Sequence, residues 1–218
     1  MKNFILNLFF IISVIPILSC KKTINNTLET DNNSYINDFE LLQSNSINDT
    51  LIKITSPKAI IEPLNNDIQI LDSLIEINNK IGKDIQIKSG NSDLNNSKNI
   101  IRVYNEVYIS LLNTNNAFIK TSSFEWNLNT SDINLNSSLD INFDNTNIIS
   151  SNGTYFIDKS LLEINNNIFN RSIFNVSGQK QYQIEIYSDV ARWFKKDNTL
   201  EFISNLNQVE TTIKIFKY

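Results

Sequence analysis

The chain of 218 residues has no histidine, and only one cysteine, one methionine, two tryptophans, three prolines and four glycines. Without histidine there are no His-based triads, none of the usual zinc sites and not the commonest general base. The single cysteine, Cys20, has no internal partner for a disulfide, and a lone thiol is a liability in an oxidising compartment. Basic charge is also lacking: the formal net charge is -4, and no Lys/Arg footprint of the kind that nucleic-acid phosphates require is present. No nucleic-acid partner is expected. Long apolar runs are missing too. The longest, Phe4 to Leu18, covers about 15 residues, short of the ~20 of a membrane span and suited to the apolar region of a signal peptide.

Asparagine is abundant, at roughly one residue in six, and fills the turns. The scarce glycines, Gly82, Gly90, Gly153 and Gly178, fall in polar stretches that the pattern places between strands, where a positive φ is useful. Pro57 is expected to close a strand without removing a central ladder bond. The acids Asp140, Asp144, Asp158 and Asp189 are scattered among turns and outward positions, with no local constellation for paired-carboxylate chemistry. The expectation is a protein that is not an enzyme, with no cofactor and no metal.

A repeat organises the body. Ser56, Ser89, Ser122, Ser151 and Ser188 each read as the end of a strand, and about a dozen residues later comes an apolar-polar-apolar triplet. The triplets are Ile68-Gln69-Ile70, Ile101-Arg102-Val103, Ile133-Asn134-Leu135, Leu162-Glu163-Ile164 and Leu200-Glu201-Phe202. A period of roughly 30 to 35 residues marks a stacked architecture whose repeats complete one another's core. Alternation within each triplet predicts half-buried strands with one wet face. Between Ser and triplet lies Ile60, Leu94, Trp126, Tyr155 with Phe156, or Trp193. Separate strands are expected after the triplets, at residues 74–77, 107–109, 139–143 and 168–169, and the chain closes on an alternating strand over 210–216. No amphipathic helix is expected after residue 34. The prediction is all-β.

Three segments follow. Residues 1–20 read as a signal peptide ending in Ile17-Leu18-Ser19-Cys20, which resembles the bacterial lipobox and implies acylation of Cys20 and attachment to a membrane. The plainer alternative is a buried cysteine in an uncleaved anchor helix. Residues 21–34 are polar and patternless, a flexible tether in which Lys21 and Lys22 would favour an anionic membrane surface. Residues 35–218 form the β domain, opening on a hairpin with strands over 39–44 and 50–55 and a turn over 45–49.

The strand-Ser-x-x-small-x-aromatic unit carries a resemblance. Ile54-Thr55-Ser56-Pro57-Lys58-Ala59, Ile149-Ser150-Ser151-Asn152-Gly153-Thr154-Tyr155 and Tyr187-Ser188-Asp189-Val190-Ala191-Arg192-Trp193, each followed by a return strand, resemble the LptC/LptA/OstA-like family of lipopolysaccharide-transport proteins, LptC most of all. The resemblance spans roughly residues 35 to 216. It implies an open β-jelly roll of stacked antiparallel strands with an apolar interior. It also implies a lipid carrier on the periplasmic face of the inner membrane, which takes lipopolysaccharide from an ABC transporter and passes it to an LptA-like bridge protein. Acylation at Cys20 departs from the single membrane helix of the best-known LptC proteins, and leaves the outer membrane open as a location.

In that setting Ile68, Ile70, Ile101, Val103, Ile133, Leu135, Leu162, Ile164, Leu200 and Phe202 are expected to point inward and contact lipid, with Trp126 and Trp193 as packing anchors or groove wall. An inward Ile in a β-sandwich is ordinarily core, so these positions are expected to serve as core and groove together. Gln69, Arg102, Asn134, Glu163 and Glu201 keep the other face wet. By the resemblance, the C-terminal edge with Thr211, Ile213, Ile215 and Phe216 receives the bridge protein by strand addition, and the N-terminal edge, residues 39–55, faces the transporter. Lys214 and Lys217 are alternatively gatekeepers against such pairing. Two other readings remain open: an LptA-like bridge or outer-membrane lipoprotein, and a structural or adhesive β-repeat surface protein that carries nothing.

Overall fold

The computed structural model describes residues 34–45, 50–62, 67–79, 82–112, 117–130, 132–174, 177–204 and 208–216. Residues 1–20, expected to be a signal peptide ending in Cys20, together with Lys21, Lys22 and Lys217 lie outside the described residues, as do nearly all of the expected tether and most of the expected opening turn. No described helix is long and apolar enough to cross a membrane.

Fourteen antiparallel strands make one sheet, and the chain is all-β with a β-jelly-roll-like fold. They are β1 (Ser34–Asn45), β2 (Thr50–Ile61), β3 (Ile68–Asn79), β4 (Gly82–Asn95), β5 (Ile100–Leu111), β6 (Ala117–Asn127) and β7 (Asp132–Leu135). The remainder are β8 (Leu139–Phe143), β9 (Thr146–Ser150), β10 (Asn152–Phe156), β11 (Leu161–Phe174), β12 (Lys180–Phe194), β13 (Thr199–Ile203) and β14 (Glu210–Ile215). Strands β7 and β8 pair with successive parts of β6, β10 and β9 with successive parts of β11, and β13 and β14 with successive parts of β12. Each of these pairs of short strands thus occupies the place of one long strand, and the sheet is a simple up-and-down meander.

Every long strand bends at the same level. Asp38, Asp72, Asn105, Glu106 and Asn166 adopt positive φ, between 48° and 63°, inside strands β1, β3, β5 and β11. Asn and Asp tolerate this left-handed conformation best. At Asn105 and Glu106 it is a β-bulge that shifts the register, whereas the ladders keep register across Asp38, Asp72 and Asn166. The ladder skips Pro57, Gly90, Ser122 and Asp189 at the same level on the intervening strands. The breaks after β7, β9 and β13 continue the line. It divides the sheet into a first arm, with 68–71, 100–104 and 132–135, and a second arm, with 73–79, 107–111 and 139–143.

This bend corrects the strand boundaries expected from sequence. The triplets and the segments after them are one bent strand each in β3, β5 and β11, not two strands. Four of the five serines do not end strands: Ser56, Ser89, Ser122 and Ser188 sit within β2, β4, β6 and β12, whereas Ser151 follows directly on the end of β9. Pro57 lies in β2 at the bend rather than closing it. Gly82, Gly90 and Gly153 are strand residues, and Gly178 has positive φ.

A repeated hydroxyl device holds the bend. Ser56 Oγ donates to the Lys58 carbonyl at 2.7 Å, Ser89 Oγ to Asn91 at 3.1 Å, Thr121 Oγ1 to Ser123 at 3.3 Å, Ser150 Oγ to Asn152 at 2.8 Å and Ser188 Oγ to Val190 at 3.0 Å. All five are buried. Bending lifts a carbonyl out of the ladder, and a short hydroxyl two residues earlier reaches it. In two repeats the expected serine is displaced by one: exposed Ser122 and Ser151 yield to Thr121 and Ser150. Ser73 Oγ joins Ser89 Oγ and Ser92 Oγ at 2.7 Å each, and Asn167 Nδ2 donates to Ser188 Oγ at 2.9 Å, so a polar seam follows the bend through an otherwise apolar interior.

Candidate functional site: interior rows and free edges

Strand pairing converts the sequence repeat into continuous rows. In the first arm, Ile68, Leu94, Ile101, Trp126, Ile133, Tyr155, Leu162, Trp193 and Leu200 are successive cross-strand neighbours on eight ladders. The next row toward the bend holds Ile70, Val103, Leu135, Ile164 and Phe202, with Ser92, Phe124, Gly153 and Ala191 between them. All twelve residues expected to line an apolar lane therefore lie in two adjacent rows of one arm. Most are tightly packed: Ile70, Ile101, Val103 and Leu135 are 0% exposed, while Ile68, Leu200 and Phe202 near the ends are half-buried.

Between those rows, on the opposite face, lies a fully polar one. Gln69, Asp93, Arg102, Glu125, Asn134, Thr154, Glu163, Arg192 and Glu201 are successive neighbours. Arg102 Nε meets Glu125 at 2.9 Å and Arg192 Nε meets Glu163 at 2.8 Å. The five positions expected to be outward are all in it. Partial burial, the largest cause, pushes the Asp93 carboxyl above its ordinary range, although the hydrogen bond from Tyr104 opposes the shift.

The second arm supplies a row that sequence reasoning missed. Leu41, Ile54, Ile75, Ile87, Ile109, Ile119, Ile141, Ile148, Phe169 and Ile186 follow one another across nine ladders. At ~4.8 Å per strand the row extends on the order of 40 Å. Its signal was present in the Ile-x-Ile pairs at 52–54, 75–77 and 85–87, but pairing them requires knowing that each strand bends. Leu94, Phe124 and Tyr155 were missed as lane residues because their neighbours, not their own segments, place them. Ile60 pairs with Tyr35 and Gln69, on the outer face.

The two arms face each other across the interior. Phe143 of the second arm stacks on Trp193 of the first, with ring centroids 4.5 Å apart, and Phe169 meets Phe202 edge-on at 5.2 Å. At the arm tips, away from the bend, Lys195 Nζ forms an ion pair with Asp84 whose side chains are 6% and 8% exposed. Beside them the buried Tyr155 hydroxyl and, in the same row, the buried Trp126 Nε1 make no hydrogen bond of ordinary geometry. Burial first, and the Asp84 charge second, push the Tyr155 hydroxyl far up, so it stays protonated; nearby Ser160 offsets only part of this.

The sheet ends in two free edges. Strand β1 pairs only with β2, so the N-terminal edge is β1 alone and the 50–55 segment expected to share it is covered by β3. At the other end β13 in the first arm and β14 in the second each pair only with β12. Thr211, Ile213, Ile215 and Phe216 are all exposed, Ile213 at 61% and Ile215 at 65%. Lys214 lies 3.8 Å from Glu185.

No family model matches the chain, and no curated protein matches it. Any functional reading therefore rests on its residues and geometry. Among the described residues no group of three or more His, Cys, Asp or Glu side chains is arranged to hold a metal ion.

Proposed function

We propose that this protein is a membrane-anchored periplasmic lipid carrier, which shields lipopolysaccharide acyl chains between its two arms and passes them along the sheet. In this reading acylated Cys20 holds it on the periplasmic face of the inner membrane, β1 faces the ABC transporter and β14 receives a bridge protein by strand addition. The observation that carries the reading is the coincidence of uninterrupted apolar rows on both arms with unpaired strands at both ends. Exposing a buried chain costs about 0.8 kcal/mol per methylene, so a 12-carbon chain in water costs on the order of 10 kcal/mol. An apolar row lowers that cost without catalysis over most of the sheet, from β1 to β12 in the second arm and from β2 to β13 in the first. Strand addition at β14 would extend the ladder of the second arm, where Thr211, Ile213 and Ile215 follow Ile186, Ile184 and Tyr182.

A photo-crosslinking residue at the inward, half-buried Phe202 and Ile186, and separately at the outward Arg192 and Glu201, tests this in living cells. Adducts to lipopolysaccharide from the inward pair only are expected. The complete burial of Ile70, Ile101, Val103 and Leu135 favours a second reading, a structural or adhesive β-repeat protein with a filled core. Absence of adducts at all four positions, with the protein folded and exported, would select that second reading.

A further inference from the structure

Lys195 and Asp84 are an unusual pair for this interior. The alternation that buries Ala191 and Trp193 also buries Lys195, which stands two residues beyond Trp193 at the tip of the first arm. Asp84 is at the tip of the second arm, where its carbonyl accepts the Leu112 amide at 2.9 Å. The two residues are 111 positions apart in sequence, so the contact exists only when the arm tips meet. Desolvating both charges costs several kcal/mol, and a well-packed apolar pair is often as stable or more so. The pair is thus a poor choice for stability alone. Its one distinctive property is exchangeability: another anion can replace the carboxylate beside the ammonium without changing the buried charge, provided that the Asp84 carboxylate turns out into water at the tip.

The surroundings fit such an exchange. Lys195 is the one Lys or Arg in the buried class among the described residues. The protonated Tyr155 hydroxyl nearby is a buried donor whose contact with Ser160 falls short of an ordinary hydrogen bond. The Phe143–Trp193 stack forms apolar wall at the same tips, so a cationic receptor for an anion flanks the apolar rows.

We infer that Asp84 and Lys195 form a clasp across the arm tips, and that the anionic head of an acylated amphiphile displaces the Asp84 carboxylate from the Lys195 ammonium as an acyl chain enters between the arms. The inference rests on the carrier reading and adds to it a side of entry, a head-group charge and a self-blocking contact.

The test uses the two-tryptophan composition. In a Trp126→Phe background Trp193 is the sole tryptophan and reports the clasp by its fluorescence. Laurate and the uncharged monolauroyl glycerol, which carries the same acyl chain, are titrated below their aggregation concentrations. Asp84→Asn is expected to tighten laurate binding about tenfold and Lys195→Met to weaken it about tenfold, the scale of one hydrogen bond to a charged group. Monolauroyl glycerol should change less than twofold. Asp84→Asn/Lys195→Met, which leaves no unpaired buried charge, keeps the test valid if Lys195→Met fails to fold, and should bind both probes alike. Equal binding of both probes by the parent and the variants would overturn the clasp and leave the carrier reading standing. No binding of either probe by any folded form would overturn both.

Discussion

Trp193 lies face to face with Phe143, ring centroids 4.5 Å apart and planes 11° from parallel. One comes from the first arm and the other from the second, so the stack joins the two halves of the sheet through their interior. With Trp193 only 1% exposed, Trp193→Ala should cost about 3–5 kcal/mol in urea unfolding followed by circular dichroism. Retention of all but about 1 kcal/mol would show that the arms are held together elsewhere.

The hydroxyl device at the bend distinguishes adjacent residues. Ser150 is buried and its hydroxyl reaches the Asn152 and Asn165 carbonyls, at 2.8 and 2.6 Å, whereas Ser151 beside it is exposed. Ser150→Ala should therefore destabilise by about 1–3 kcal/mol, and Ser151→Ala by no more than about 0.5 kcal/mol. Equal losses in thermal melts would mean that the bend is not held by this hydroxyl.

Gly153 lies where β10 crowds its neighbour. A Cβ there would come within 2.7 Å of the Glu163 carbonyl oxygen and 2.8 Å of Ile164 Cγ2, while one on Gly90 would meet only 3.2 Å and 3.3 Å contacts with Asn105. Gly153→Ala is expected to cost about 1–3 kcal/mol as overpacking. Gly90→Ala should cost less, and the order of the two chemical denaturation midpoints decides it.

Asp93 gives a pH signature. Its carboxyl is raised above the ordinary value of 3.8, burial being the largest cause, so the folded state binds the proton more tightly than the unfolded state. Stability from this group is present below pH 3.8 and is lost as pH rises through the raised folded value. Asp93→Asn, which keeps an acceptor for Tyr104, should be more stable than the parent at neutral pH, with the advantage fading below pH 4. An advantage that instead grows on acidification would contradict the assignment.

Ile213 is 61% exposed on the outermost strand. Ile213→Lys should leave the unfolding free energy within about 0.5 kcal/mol of the parent, yet abolish edge-to-edge crosslinking with any strand partner. A stability loss above about 1 kcal/mol would mean that β14 is covered rather than free.

Much of the site was legible before folding. Ile133-Asn134-Leu135 and its four counterparts alternate with period two, and that alone put Ile133 and Leu135 on one face and Asn134 on the other. Ser56, Ser89 and Ser188 marked the right level in each repeat, although as points of bending. Thr121 and Ser150 were obscured because a second hydroxyl residue stands next to each, and only burial distinguishes them. Lys195 and Asp84 gave no local signal, since each belongs to a polar stretch that in isolation reads as a solvated turn.

The sequence by itself determined the strand alternation, the repeat and the polarity of each face, because these depend on neighbours two residues apart on one chain. Tertiary structure decided which strands are halves of one bent strand, which rows become continuous and which charges meet. Those outcomes depend on left-handed residues such as Asp72 and Asn166 turning the sheet back on itself, and on contacts such as Phe143 with Trp193 and Asp84 with Lys195, which exist only after the two arms have closed.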